Sequence, residues 1–168
     1  WASELNIKSV VYEASGRVGN GKGAIEIAKL MGLSQKEITA GLKSYMASNK
    51  WPVLKKTKSG IIVIDESYNS NQQGFISAID YLKQNFSGKK YVVTPGIIEL
   101  GSETEKVHLE IKNKLVGVDG LWVTSDWGRE YLGGRLDIHK MNKIIHTDDV
   151  VLIEGRIPIK VKKIIFEL

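Results

Sequence analysis

Short runs of β-branched and aliphatic residues alternate, in the C-terminal two-thirds of the chain, with segments whose apolar residues recur at helical spacing. The runs predict strands at Ile61–Ile64, Tyr91–Thr94, Gly120–Thr124, Val150–Ile153 and Val161–Phe166. The segments between them predict helices at Gly74–Gln84, Glu103–Val116 and Trp127–Leu132. Strands separated by helices in this rhythm are typical of an α/β fold with a mostly parallel sheet and helices on both faces.

A helical pair is predicted ahead of this alternation. Ala24–Met31 has helical spacing and ends at Gly32, and Ser34-Gln35-Lys36-Glu37 has the form of a capping box that opens a second helix. Pro52–Thr57 then leads through Ser59-Gly60 into the first long strand, which predicts a hairpin.

Composition narrows the class of protein. The 168 residues, 42% hydrophobic, suffice for one domain and part of a second. Cysteine is absent, which excludes disulfides and thiolate metal sites. We expect no membrane span, because no apolar run has the necessary length. The net charge of +5 suggests nucleic acid, but the basic clusters are short and do not alternate with aromatic residues, so we expect no such partner.

One glycine-rich segment comes close to a phosphate-binding loop. Gly16–Gly23 follows the pattern GxxxxGK[ST] up to its last position, where Gly23 replaces the hydroxyl residue that would hold Mg²⁺. A glycine-rich turn before a helix is therefore favoured over nucleotide hydrolysis at Lys22. The histidines lack HxxxH and HExxH spacing, so no dedicated metal site is predicted.

Polar residues follow three of the predicted strands. Asp65–Asn71 follows the first long strand, Pro95–Gly101 follows the second, and Gly155–Pro158 follows the fourth. Ligands of open α/β sheets bind at the carboxyl ends of the strands, so these segments predict one shared site. Arg156 would supply a fork suited to a carboxylate or phosphate. The alternative for the first segment is a polar turn that only caps the next helix.

The same segments resemble signatures of the Mur ligase family. IDESYNSN resembles the ID[DE]SYNANP signature of the members that add D-alanyl-D-alanine to UDP-N-acetylmuramoyl-tripeptide, and TPGIIELG and VLIEGRIP resemble their later strand-and-loop segments. AIEIAKLMGLSQKEITAGLKSY resembles the helical pair that ends the family's ATPase domain. The resemblance implies that residues 1–46 are the tail of that domain and that residues 47–168 are the Rossmann-like C-terminal domain.

The resemblance also implies an activity and individual roles. The family forms amide bonds through an acyl phosphate, with ATP and Mg²⁺ bound mainly by a central P-loop domain. No catalytic residue is assignable here, and we expect the fragment alone to be inactive. The residues implied to contact ATP are Asn20, Lys50, Asp65 and Glu66. Those implied to bind the amine substrate are Tyr68, Asn69, Ser70, Asn71, Glu99 and Arg156.

Departures from the family pattern leave the substrate open. Lys50 stands where the family has Arg, Gln72 where it has Pro, and Arg156 where Ser is frequent. The amine could be D-alanyl-D-alanine, glutamate, lysine or diaminopimelate, joined to a UDP-muramoyl-peptide. We expect a cytoplasmic monomer. The alternative is a free-standing, non-catalytic module of the same fold that recognises an amino acid, a peptide or a protein.

Overall fold

The computed structural model of the chain describes residues 18–48, 54–68, 70–135 and 137–168. It divides into two compact units, one up to Pro52 and one from Val53 to Leu168. Within the described residues, no helix combines the length and apolarity needed to cross a membrane.

The first unit contains two helices, α1 (Val18–Leu30) and α2 (Gln35–Ser48). Gly32, with φ +81°, lies in the turn between them. The predicted capping box is confirmed. The Ser34 backbone N–H donates to a Glu37 carboxylate oxygen at 2.8 Å, and the Glu37 N–H donates to Ser34 Oγ at 3.3 Å. These bonds satisfy N–H groups that the first turn of a helix leaves without partners.

The predicted glycine-rich turn is wrong for the described part of Gly16–Gly23. Residues from Val18 onward are already helical, so Asn20 lies inside α1 rather than ahead of it. Glycine lowers helix propensity by about 1 kcal/mol per residue but does not forbid a helix. The glycine content of this segment therefore did not exclude a helix. A helical backbone directs its N–H groups along the axis, so this segment does not form a loop that cradles phosphate.

The second unit is built on one sheet with the strand order β1-β2-β5-β3-β4. Its strands are β1 (Leu54–Lys56), β2 (Ile62–Glu66), β3 (Lys90–Thr94), β4 (Gly120–Val123) and β5 (Val150–Glu154). β1 and β2 form the predicted antiparallel hairpin, and every other pairing is parallel. The mostly parallel sheet is therefore confirmed.

Helices cover both faces of this sheet. The helices are α3 (Gln72–Asn85), α4 (Thr104–Lys114), α5 (Asp126–Leu132) and α6 (Ile159–Glu167), with 3-10 turns at Gly101–Glu103 and Ile138–Lys143. Phe75, Ile111 and Leu132, from α3, α4 and α5, pack on one face. Met141 and Ile165, from the second 3-10 segment and α6, pack on the other. This double cover matches the predicted fold class.

The predicted strand at Val161–Phe166 is wrong, because this segment lies within α6. Its apolar residues Val161, Ile164, Ile165 and Leu168 recur at i, i+3, i+4 and i+7, and all pack on the same cluster. That spacing is helical, and Pro158 directly before the helix suits its start. The β-branched residues suggested a strand, but their burial on one helix face decides the structure.

Candidate functional site

Three loops meet at the carboxyl edge of the sheet. β5 pairs with β2 on one side and with β3 on the other, all in parallel, so their following loops are neighbours. The Gly155 N–H donates to the Glu66 carbonyl at 3.1 Å. A Cβ at Gly155 would lie 3.2 Å from Pro95 and 3.3 Å from Ser70. The prediction that these loops share one edge is confirmed.

The strands reach further into this edge than the apolar runs suggested. β2 continues through Asp65 and Glu66, and β5 continues through Glu154. Glu66 and Glu154 are register partners, so they lie on the same face of the sheet. Asp65 lies on the opposite face, because side chains alternate along a strand. The two adjacent acids of the sequence are therefore separated by the sheet itself.

Glu154 is a member of the site that the sequence reasoning missed. Its side chain is buried, and the Ser70 hydroxyl donates to Glu154 Oε1 at 2.8 Å. This bond joins the loop after β2 to the end of β5. The signal was present: Glu154 ends the apolar run Val150–Ile153 in the same way that Asp65 ends Ile61–Ile64.

Asp65 is held in a cluster of charges on the α6 face. Its carboxylate lies 3.2 Å from Lys55 Nζ and 3.1 Å from Lys162 Nζ, and it accepts a hydrogen bond from Ser67 Oγ at 2.7 Å. Burial alone would raise the pKa of Asp65, but the Ser67 hydrogen bond and the two ammonium groups outweigh it, so the pKa lies below its usual value. Asp65 thereby links β1, β2 and α6.

The loop after β2 combines a helix cap with an exposed aromatic residue. Asn71 Oδ1 accepts the Gly74 N–H at 2.8 Å, so Asn71 caps α3, as the alternative interpretation of this loop expected. Tyr68 is 87% exposed, and its carbonyl accepts a hydrogen bond from Arg156 Nε at 3.2 Å. Arg156 is exposed, and its guanidinium carries further N–H donors besides the one bonded to Tyr68.

The remaining predicted residues are placed as follows. Glu99 is exposed in the loop after β3, with φ +64°, a left-handed conformation that is uncommon outside glycine. Lys50 and Asn69 lie outside the described residues, and so does the side chain of Asn20. The edge therefore brings together Glu66, Tyr68, Ser70, Asn71 and Arg156, with Glu99 on the third loop.

A cavity of about 560 Å³ lies towards the amino ends of the strands, between Ile61, Ile145 and Ile164, and none of the described residues of the three loops lines it. Within the described residues, no three His, Asp or Glu side chains cluster closely enough to hold a metal ion.

The fold and this edge define a class of protein. The second unit has the α/β fold of Mur ligase C-terminal domains, and the chain is similar to members of that family in sequence as well. MurF ligase from Thermotoga maritima in complex with ADP has 25% sequence identity and a TM-score of 0.57, over 68% of this chain and 29% of that one. MurF from Acinetobacter baumannii has 18% sequence identity and a TM-score of 0.60, over 92% of this chain and 38% of that one. At this identity the similarity shows the fold alone.

One relative of known name is similar to the chain in sequence. It is the UDP-N-acetylmuramoyl-tripeptide–D-alanyl-D-alanine ligase of Borreliella burgdorferi, which is 26% identical over 113 residues, or 66% of this chain. The chain spans about a quarter of that relative's length, since the match covers 24% of it. No family model matches the chain. The resemblance to the Mur ligases seen in the sequence is confirmed.

Proposed function

We propose that the chain is the C-terminal part of an ATP-dependent amide ligase of peptidoglycan precursor synthesis. The observation that carries this proposal is the meeting of the loops after β2, β3 and β5 at one edge, in a chain similar to Mur ligases. In the proposed reaction a carboxylate of a UDP-muramoyl-peptide takes a phosphoryl group and releases ADP. The amine nitrogen then attacks the acyl carbon, phosphate leaves, and the amine loses a proton.

The amine in this proposal is D-alanyl-D-alanine. The curated relative acts on that dipeptide by its name, and the carboxyl edge offers complementary charges. Arg156 presents guanidinium N–H groups that suit the dipeptide carboxylate, and Glu99 presents a carboxylate that suits its amino group. Tyr68, Asn69, Ser70 and Asn71 complete the pocket in this proposal.

Contacts to ATP are proposed at the same edge and in the first unit. We assign the ribose contact to Glu66, because Asp65 lies on the α6 face between Lys55 and Lys162. Asn20, within residues 1–46, and Lys50, just after them, would also contact the nucleotide. Mg²⁺ would be bound mainly by a central domain, as the similarity to the Mur ligases suggests.

The proposal extends to the organisation of the protein. Residues 1–46 would be the tail of the ATPase domain and residues 47–168 the amine-binding domain of a cytoplasmic, monomeric enzyme. Catalysis in such a ligase depends on positioning and charge stabilisation across both domains. The chain by itself is therefore expected to bind the amine weakly and to catalyse nothing.

Binding of the dipeptide to the chain tests the proposed site. We expect D-alanyl-D-alanine to shift the amide signals of Tyr68, Glu99 and Arg156 in a ¹H–¹⁵N NMR titration. Arg156→Ala should weaken the affinity by about tenfold or more, because a charge-assisted hydrogen bond is lost. Lys112→Ala is the matched control, since it removes one exposed cation from the last turn of α4.

The titration also tests the specificity and the location of the proposed site. Shifts caused equally by D-alanyl-D-alanine and by L-alanyl-L-alanine would contradict the proposed specificity. Binding at the opposite edge of the sheet, around Ile61 and Ile145, would place the ligand in the cavity and overturn the site.

A further inference from the structure

The loop after β3, residues Pro95 to Leu100, is fixed in its first half by side chains. Ser125 Oγ donates to the Pro95 carbonyl at 2.6 Å, and the Gly96 N–H donates to Thr94 Oγ1 at 3.0 Å. The next N–H, that of Ile97, donates to His108 Nε2 at 3.2 Å. Three successive backbone groups are thus held from β3, α4 and α5, which leaves little freedom where the loop leaves the sheet.

Both ring nitrogens of His108 are hydrogen-bonded, Nε2 to the loop and Nδ1 to the backbone of α4. Its side chain is fully buried, and Nδ1 lies 2.7 Å from the Thr104 carbonyl, one turn earlier in α4. A carbonyl oxygen only accepts, so Nδ1 carries the proton and Nε2 is the acceptor for the Ile97 N–H. The contacts thereby assign a neutral tautomer and a single ring orientation.

Aromatic packing holds the ring in place. Tyr131 stacks on it at 5.2 Å between centroids, and Trp127 meets it edge-on at 5.6 Å. Both come from α5, whose first residues also hold the Pro95 carbonyl through Ser125. Rotation of the His108 ring would break two hydrogen bonds and this packing together.

The loop backbone fits closely against the same ring. Gly96 has φ +89°, and a Cβ there would lie 3.0 Å from His108 Nε2 and 2.9 Å from Trp127. Beyond Ile97 the chain turns outward, with Ile98 61% exposed and Glu99 at φ +64°. Glu99 thus follows two residues after the bond to His108, at the point where the loop leaves its anchored first half.

We propose that His108 is a positioning residue for the amine site, which holds the loop after β3 so that Glu99 faces the substrate. His108 is buried and does not touch the substrate in this arrangement, so it acts through the backbone of Ile97. The inference rests on the proposed function, in which Glu99 contacts the amine. The hydrogen bond from the Ile97 N–H to His108, in contrast, can be measured without any ligand.

Two substitutions separate the hydrogen bond from the packing. His108→Gln keeps an acceptor at the place of Nε2, whereas His108→Phe keeps the ring and removes the acceptor. Amide hydrogen exchange of Ile97, measured by NMR on the 168-residue chain, should be about tenfold faster in His108→Phe. In His108→Gln it should stay within about threefold of the unchanged chain. Exchange at Val92, in buried β3, reports global opening and normalises the comparison.

The unchanged chain provides an independent measurement. Long-range ¹H–¹⁵N spectra should show the signature of an Nδ1-protonated ring with an unprotonated Nε2. The opposite tautomer, or Ile97 exchange that His108→Phe leaves unchanged, would overturn the proposal. The spectra require no variant, so they decide the proposal even if His108→Phe fails to fold.

Dipeptide affinity then connects the loop to the site. His108→Phe should weaken D-alanyl-D-alanine binding about tenfold relative to the unchanged chain. His108→Gln should leave this affinity close to that of the unchanged chain. Glu99→Gln should weaken binding without changing Ile97 exchange, as expected for a contact residue. Equal affinity in the unchanged chain and both His108 variants would contradict the positioning role. If the unchanged chain does not bind the dipeptide, the proposed function fails, and the exchange data alone decide whether His108 holds the loop.

Discussion

At the scale of single residues, the environment of each acid decides its role more than its place in the sequence does. Asp65 and Glu66 are adjacent, yet the pleat sends one towards Lys55 and Lys162 and the other to the face of Glu154. Asp65 is 9% exposed and satisfied by two ammonium groups and a hydroxyl. Its charge therefore stabilises the fold and is poorly placed for a ligand.

The low pKa of Asp65 predicts a pH-dependent contribution to stability. Because the folded state lowers this pKa, the contribution is fully present above the unfolded value of about 3.9. It is lost as the pH falls through the lower folded value. Asp65→Asn should reduce the free energy of unfolding by about 1–2 kcal/mol at pH 7, since both lysines stay partly solvated.

Urea denaturation at pH 7 and near pH 3 measures this contribution. The difference between the unchanged chain and Asp65→Asn should shrink towards the lower pH. Asp126→Asn is the control, because the Asp126 side chain is 94% exposed and should change stability by less than about 0.5 kcal/mol at either pH. A difference for Asp65→Asn that is independent of pH would show that its charge is not the stabilising feature.

At the scale of elements, the sequence predicts most closely the positions of the strands that are buried on both faces. β2, β3, β4 and β5 are covered on both faces, so each reads as an apolar run bounded by polar residues, and the predicted bounds agree within two residues. α6 was missed because Ile164, Ile165 and Phe166 also suit a strand. The helical spacing of Val161, Ile164, Ile165 and Leu168, which pack in one cluster with Met141 and Ile145, distinguishes the two.

Packing of α6 predicts which of its apolar residues stabilise the fold. Ile165 is fully buried against the cluster that contains Met141, whereas Ile159 in the first turn is 67% exposed. Ile165→Ala should lower the free energy of unfolding by about 2–4 kcal/mol, and Ile159→Ala by less than about 0.5 kcal/mol. Thermal and urea unfolding of the two variants measure this. Equal losses at both positions would contradict the helical assignment of this segment.

At the scale of the whole molecule, the candidate site is assembled from segments that lie far apart in the chain. The alternation of strands and helices predicted that the loops share an edge, because parallel strands align their carboxyl ends. It could not predict that β5 inserts between β2 and β3, which is what brings Arg156 to Tyr68 and Glu154 to Ser70. Nor could it predict the hydrogen bond from the Ile97 N–H to His108, because that bond depends on where α4 packs.

The assignment of separate substrate contacts to Arg156 and Glu66 predicts separable kinetic effects in the full-length ligase of the proposed function. With ATP, UDP-N-acetylmuramoyl-tripeptide and D-alanyl-D-alanine, the full-length protein should release phosphate and the 168-residue chain should not. Arg156→Ala should raise the KM for the dipeptide by about 10- to 100-fold, because a charge-assisted contact is lost. It should leave the KM for ATP nearly unchanged.

Glu66→Gln provides the reciprocal measurement, because Glu66 is assigned to the ribose. It should raise the KM for ATP by about three- to tenfold and leave the KM for the dipeptide nearly unchanged. Glu66 is the last residue of β2 and Arg156 lies in the loop after β5, and the two segments touch through the bond from the Gly155 N–H to the Glu66 carbonyl. A general disturbance of the edge would therefore raise both KM values in both variants. Only separate contacts to the two substrates give the reciprocal pattern, so a parallel rise would contradict the assignment of the roles at this edge.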